Sequence, residues 1–202
     1  MRRWSRGSVF MLLGSLMILA SVGFWGVNAV EERQAGRETE RAAALLKVQI
    51  ADARARDQDQ GGTDTGADGI GSTTGYLASG DYLGLLSLPS LGLDLTVADA
   101  WSYPALRKTP CRYSGSVEEE NLVILAHNYE RHFGGLKRLK PGARITFTGL
   151  DGGETVYEAV DVRTLGPDQG EEMLKGDWQL LLFTCTYGGE NRVAVRCRKT
   201  DA

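Results

Sequence analysis

Three residues of this sequence are of types that together could transfer an acyl group: Cys185, His127 and Arg192. A thiol acts as a nucleophile through its thiolate, which a nearby base or positive charge favours. Cys185 closes the apolar run Trp178-Gln-Leu-Leu-Leu-Phe-Thr-Cys185, and the polar turn Thr-Tyr-Gly-Gly-Glu-Asn follows it. A sulfur at a strand end sits at a rim rather than inside a core. His127 closes a second run, Asn121-Leu-Val-Ile-Leu-Ala-His127, so a ring nitrogen can meet the sulfur there as general acid and base. Arg192 opens a third run, Arg192-Val-Ala-Val-Arg-Cys-Arg198, seven positions (192 − 185) after Cys185. A two-strand hairpin sets that pair side by side across the turn. The guanidinium then offers a fixed fork of donors to a developing oxyanion.

Each of the three also has a plainer reading. A strand-end cysteine is often a small buried apolar residue, His127 a satisfied structural histidine, and Arg192 a solvated edge residue like Arg196 and Arg198. Cys197 shares a face with Val193 and Val195 and is expected to pack in the core. Cys111 could bridge Cys197 in an oxidising exterior, but a buried thiol is expected. His132 lies in a polar loop and is given no catalytic role. Glu118-Glu119-Glu120 reads as a solvated turn in preference to a cation site. Three cysteines make no disulfide framework, and neither cysteines nor histidines have metal-site spacing, so no metal or cofactor is expected. A net charge of −3 gives no basic field for nucleic acid.

The elements that must position these groups follow in chain order. A length of 202 residues allows one domain with attachments. Arg2, Arg3 and Arg6 precede a stretch from Ser8 to Val30 without a charged residue. About 20 apolar residues cross a bilayer as a helix, and the basic flank places the N-terminus in the cytoplasm with the rest exported. Residues 1–30 are therefore expected to be a cytoplasmic tip and transmembrane anchor of a single-pass cell-membrane protein. The rival, a signal cleaved near Val27-Asn28-Ala29, is disfavoured because such apolar cores usually span only about 7–15 residues. Residues 31–57 are expected to form a helical stalk, with Ala42, Leu45, Leu46, Gln49, Ile50 and Ala53 at helical spacing and Asp52 and Arg56 as an i,i+4 pair. Residues 58–80, rich in Gly, Ser, Thr and Asp, read as a flexible linker. Residues 81–202 are the head. Strands are expected over 82–88, 93–97, 121–127, 143–148, 154–163, 178–185 and 192–198, with an Asp-Gly turn at Asp151-Gly152. Residues 98–114 read as a short helix and an irregular loop, with helical pieces between Phe133 and Leu139 and around 171–174. Seven or eight short strands with little helix predict a mainly β fold, a closed barrel or sandwich.

On these residues the chain resembles the sortases, membrane-anchored cysteine transpeptidases of Gram-positive bacteria. Their signature Thr-Leu-x-Thr-Cys stands here as Leu181-Leu-Phe-Thr-Cys185, followed by Arg192-Val-Ala-Val; the histidine motif stands as Leu125-Ala-His127-Asn128. Leu181 departs from the first threonine. The resemblance covers about residues 81–200 and implies an eight-stranded sortase-type β-barrel. It implies Cys185 as nucleophile, His127 as acid/base and Arg192 as stabiliser of the oxyanion and substrate, with Thr184 and Asn128 lining the substrate groove. The implied partners are exported proteins bearing a Leu-Pro-x-Thr-Gly-like sorting signal and an amine acceptor, from a cell-wall precursor or a pilin lysine. The end of the chain at Ala202 shows no second transmembrane segment of the kind common in pilin-polymerising members, and the short connection from Leu165 to Asp177 lacks the long helical insertion of class B members. Yet the motifs Trp101-Ser-Tyr-Pro104 and Cys111-Arg-Tyr-Ser-Gly115 resemble those of a small class B- or class D-like member. Two other functions fit the same residues: a secreted cysteine peptidase that passes the acyl group to water, and a non-catalytic anchored β module.

Overall fold

The computed structural model of the chain describes residues 6–59 and 81–200. The chain divides into two units, residues 1–34 and residues 35–202. Helix α1 runs from Arg6 to Asp59. In the first unit its described apolar side chains, among them Phe10, Met11, Leu13, Leu16, Met17, Ile18, Leu19, Val22 and Phe24, are exposed. The expected anchor is thus helical from Arg6 on. Among the described residues, however, no helix is long and apolar enough to cross a membrane. Residues 1–5 and several side chains of the expected span, Leu12 and Trp25 among them, lie outside the described residues. The expected linker lies outside it as well, from residue 60 to residue 80.

In the second unit, one stripe of α1 is buried. Ala43, Leu46 and Ile50, spaced three and four residues apart so that they share a helical face, pack on Leu85 and Leu150 of the head. Polar contacts border the stripe: Lys47 pairs with Asp94 at 2.5 Å, and Arg54 with Glu154 at 2.7 Å.

The head is a barrel of eight strands: β1 Tyr82–Leu88, β2 Leu93–Ala98, β3 Cys111–Ser114, β4 Leu122–Leu125, β5 Arg144–Gly149, β6 Glu154–Leu165, β7 Leu180–Cys185 and β8 Arg192–Lys199. It closes in the order β1-β2-β3-β4-β7-β8-β6-β5, with β1 pairing both β2 and β5. Closure leaves no unpaired sheet edge. Two pairings are parallel, β2 with β3 and β4 with β7. β3 corrects the irregular loop expected after the short helix. Four residues between Pro110 and Gly115 are too few to show a two-residue period, yet they pair with β4 over Cys111 to Ser114. The short helix is α2, Tyr103–Leu106. Ser102 caps it by accepting from the Ala105 N–H at 3.2 Å, and Pro104 fills an early position where no N–H is needed. A third helix, α3, spans Gly170–Leu174.

Alternation along the strands sorts the side chains into two layers. Leu86, Leu88, Leu95, Val97, Leu122, Ile124, Ile145, Tyr157, Leu180, Leu182, Val195 and Cys197 fill the barrel interior. Val123, Leu165, Met173, Leu181, Phe183 and Ala194 form a second cluster on the other face. β4, β7 and β8 thus have apolar side chains on both faces. All three cysteines are free thiols; Cys111 and Cys197 are buried in separate clusters. Burial pushes the Cys111 thiol up to about 11 and raises that of Cys197 further still.

Candidate active site

The same alternation decides where the three chemically capable side chains go. On β7, Leu180, Leu182 and Thr184 face the barrel interior, whereas Leu181, Phe183 and Cys185 face outward. On β4 and its continuation, Leu122, Ile124 and Ala126 are interior, so Val123, Leu125 and His127 share the outer face. On β8, Val193, Val195 and Cys197 are interior and Arg192 falls on the outer face with Ala194. The strands adjoin in the order β4-β7-β8. β4 and β7 are parallel, with Leu125 opposite Phe183, so one more step of the register brings His127 to the level of Cys185. β8 returns antiparallel, with Arg192 opposite Cys185. Two strand ends and one strand start therefore meet at one rim. Cys185, His127 and Arg192 line one cavity of about 410 Å³.

Local bonds hold that rim. The turn from β7 to β8 is closed by the Thr186 N–H donating to Asn191 O at 2.9 Å, and Gly188 and Gly189 take φ of 89° and 77°. Those left-handed values explain the Gly-Gly pair. Arg192 Nη1 donates to the carbonyls of Gly189 and Asn191 at 2.8 and 3.1 Å, which braces the guanidinium over the turn and leaves the rest of its fork for a ligand. His127 is half-buried. Burial, and secondarily the positive charge of Arg107, hold its pKa below the ordinary histidine value, so the ring is neutral and able to take a proton at neutral pH. Its ring stacks on Tyr129 at 4.9 Å between centroids.

The cavity has two walls that the chemistry-bearing motifs did not predict. One is aromatic. Trp101 stacks on Tyr113 at 6.3 Å, Trp101 meets Tyr103 edge-on at 5.9 Å, and Tyr113 meets Phe183 edge-on at 5.4 Å. The other is the connection from β6 to β7, which contributes Pro167, Gln169 and Met173. α3 is pinned over β8 because Arg196 donates to the Glu172 carbonyl. That corrects the reading of Arg196 as a solvated edge residue: its side chain is only 14 % exposed. Among the described residues no acidic side chain lines the cavity.

Two residues assigned to the groove by resemblance lie elsewhere. Thr184 is 2 % exposed, and its hydroxyl donates to Ala126 O at 2.7 Å, tying β7 to the residue before His127. Its place follows from strand parity, since the residue before Cys185 must face the opposite side. Asn128 is half-buried and outside the cavity lining. Glu118 to Glu120 are exposed on a turn, with Glu120 paired to Lys199 at 3.1 Å. Among the described residues no group of three or more His, Cys, Asp or Glu could hold a metal ion.

A family model for the sortase domain matches residues 86–200, more than half of the chain. Among solved structures, a sortase C of Streptococcus pneumoniae is 21% identical, with a TM-score of 0.55 over 79% of this chain and 90% of that one. A Clostridium perfringens sortase C, solved with the C-terminal cell wall sorting motif, is 24% identical, with a TM-score of 0.53 over 79% and 90%. A sortase D transpeptidase of the same organism is 19% identical, with a TM-score of 0.53 over 60% and 80%. At these identities the likeness carries the fold. A search of curated proteins finds no match. On the family match and the barrel that bears it out, this chain belongs to the sortase family.

Proposed function

We propose that the protein is a cysteine transpeptidase acting on the sorting signals of exported proteins, with Cys185, His127 and Arg192 as its catalytic residues. One observation carries the reading: the three side chains share one face of three adjacent strands and open into one cavity. Cys185 gives its proton to His127 and its sulfur attacks the carbonyl carbon at the Thr–Gly bond of a Leu-Pro-x-Thr-Gly-like signal. The S–C bond forms, the tetrahedral oxyanion lies toward the Arg192 fork, and His127 delivers a proton to the departing amine as the C–N bond breaks. An acceptor amine then attacks the thioacyl carbonyl, loses its proton to His127 and expels the thiolate. The acceptor is an amine of a cell-wall precursor or a pilin lysine. The class B- or class D-like reading belongs to the same proposal, since subclass shows in which signal is cut.

The location proposed is the cell membrane, single-pass, with residues 1–30 as anchor, 31–57 as stalk, 58–80 as linker and 81–202 as the extracellular catalytic barrel. The exposed apolar side chains from Phe10 to Phe24 support it, because a soluble surface seldom bears so large an apolar patch. Recovery of the chain with washed membranes, and its release on removal of residues 1–30, is the expected result of fractionation.

The reaction is tested by incubating the protein with a panel of sorting peptides, with and without an amine acceptor, and reading products by mass spectrometry. Ligated product is expected. Cleavage alone with every acceptor makes the protein a hydrolase, and no processing of any peptide makes it a binding module.

A further inference from the structure

His127 leaves β4 into a loop, residues 128–134, that is folded tightly on itself. The Phe133 N–H donates to His127 O at 3.1 Å, and the N–H groups of His132 and Gly134 both donate to Tyr129 O at 2.9 Å. A Cβ on Gly134 would come within 2.5 Å of Asn128 O, so the backbone passes where only glycine fits. The far end of this loop bears His132, whose ring is fully buried and within 3.1 Å, through Nε2, of the Thr39 hydroxyl on α1. Thr39 also donates to the Lys108 carbonyl, which can only accept. Its oxygen therefore accepts from His132, which fixes the tautomer with the proton on Nε2. Nδ1 is left buried without a hydrogen-bond partner among the described residues. The Tyr129 ring lies between the two histidines, 4.9 Å from His127 and 5.5 Å from His132. One residue further along α1, Glu40 pairs with Arg131 of the same loop.

A loop that merely connected two elements would not bury a polar ring with one nitrogen unsatisfied, since such atoms are rare and unfavourable. We propose that Thr39 and His132 are positioning residues for the acid–base step: α1 grips the loop through Thr39 and Glu40, and the ring stack through Tyr129 carries that grip to His127. The inference rests on the reading of His127 as acid/base. It makes the helix that precedes the barrel part of the machinery of turnover. Cys185 lies on β7, outside this loop, so the grip reaches its thiol only through His127.

The test uses the full chain and the peptide–amine ligation. Variants Thr39→Val, Thr39→Ser and His132→Phe are compared with wild type and with His127→Ala for kcat, KM and the rate of Cys185 alkylation by iodoacetamide. Because Cys111 and Cys197 are buried, alkylation reports Cys185. Misplacing a catalytic group by about 1 Å costs up to about a hundredfold, so Thr39→Val and His132→Phe should lower kcat about tenfold or more. KM should stay within about twofold, the alkylation rate should not rise, and Thr39→Ser, which keeps the hydroxyl, should recover kcat. The inference is overturned if both variants keep wild-type kcat while His127→Ala abolishes turnover. A loss of kcat that comes with faster alkylation, or that serine does not rescue, shows general loosening and also overturns it. Full activity of His127→Ala removes the acid–base reading itself, and this inference with it.

Discussion

Cys185, His127 and Arg192 come from positions 185, 127 and 192 of the chain, and what unites them is parity. Each lies on the outer face of its strand, so a one-residue slip in any of the three would turn its side chain into the barrel interior. Thr184 shows the other side of that rule: it holds the Ala126 carbonyl from within. Arg192 is braced by two carbonyls and presents the remainder of its fork to the cavity. Arg192→Ala should lower kcat by about 10²–10³-fold, the usual loss of an oxyanion donor. Arg192→Lys should recover only part of this, because an ammonium cannot brace and donate in two directions at once. Steady-state ligation kinetics check both. His132 makes a separate prediction about stability. Burial first, then the neighbouring His127, against the opposing Lys108 carbonyl, push its pKa down to about 4 from an ordinary 6.5. The unfolded chain takes up this proton as pH falls through 6.5 and the folded chain does not until about 4. The native state should therefore lose on the order of 3 kcal/mol from this group across that window. Thermal melts of His132→Phe should fall less steeply with acid between those values than wild-type melts. Parallel slopes would contradict the assignment.

At the scale of elements, the strands and their pairing were legible where runs were long. The apolar runs ending in His127 and Cys185 announced strands, and the Gly-Gly turn with an arginine seven positions beyond the cysteine announced the hairpin. β3 was not legible, because four residues beside a proline carry no period. The aromatic wall was visible only as the motifs Trp101-Ser-Tyr-Pro104 and Cys111-Arg-Tyr. Nothing in their spacing says that Trp101, Tyr103 and Tyr113 meet beside Cys185, since β2–β3 and β3–β4 pairings bring them there. The burial of Arg196 and of His132 was not legible for one reason. Each is a polar residue buried by an element distant in sequence, α3 for Arg196 and α1 for His132. The helical spacing of α1 was readable, but its packing partner was not. Its buried stripe of Ala43, Leu46 and Ile50 rests on Leu85 and Leu150. Leu46→Ala should loosen that docking by about 2–5 kcal/mol, the range for a buried leucine. Hydrogen exchange over residues 35–59 should speed up while amides of β4, β7 and β8 keep their protection. Unchanged exchange in α1 would show that the stripe does not hold the helix.

For the molecule as a whole, the barrel supplies rigidity and the periphery supplies the site's walls. Closure leaves β4, β7 and β8 fixed on both sides, so the rim they share is held by the main chain and not by loops alone. The aromatic wall and the β6–β7 connection then shape a cavity that, among the described residues, bears no acidic side chain and presents one thiol, one neutral imidazole and one guanidinium. That combination suits acyl transfer through a covalent thioester. The most direct measurement is intact-mass analysis after incubation with a sorting-signal analogue that carries a thiol-reactive group in place of the scissile bond. The account predicts a single adduct that maps to Cys185 and is absent from Cys185→Ala. Labelling that persists in Cys185→Ala, or no labelling by any of a panel of signals, would contradict it.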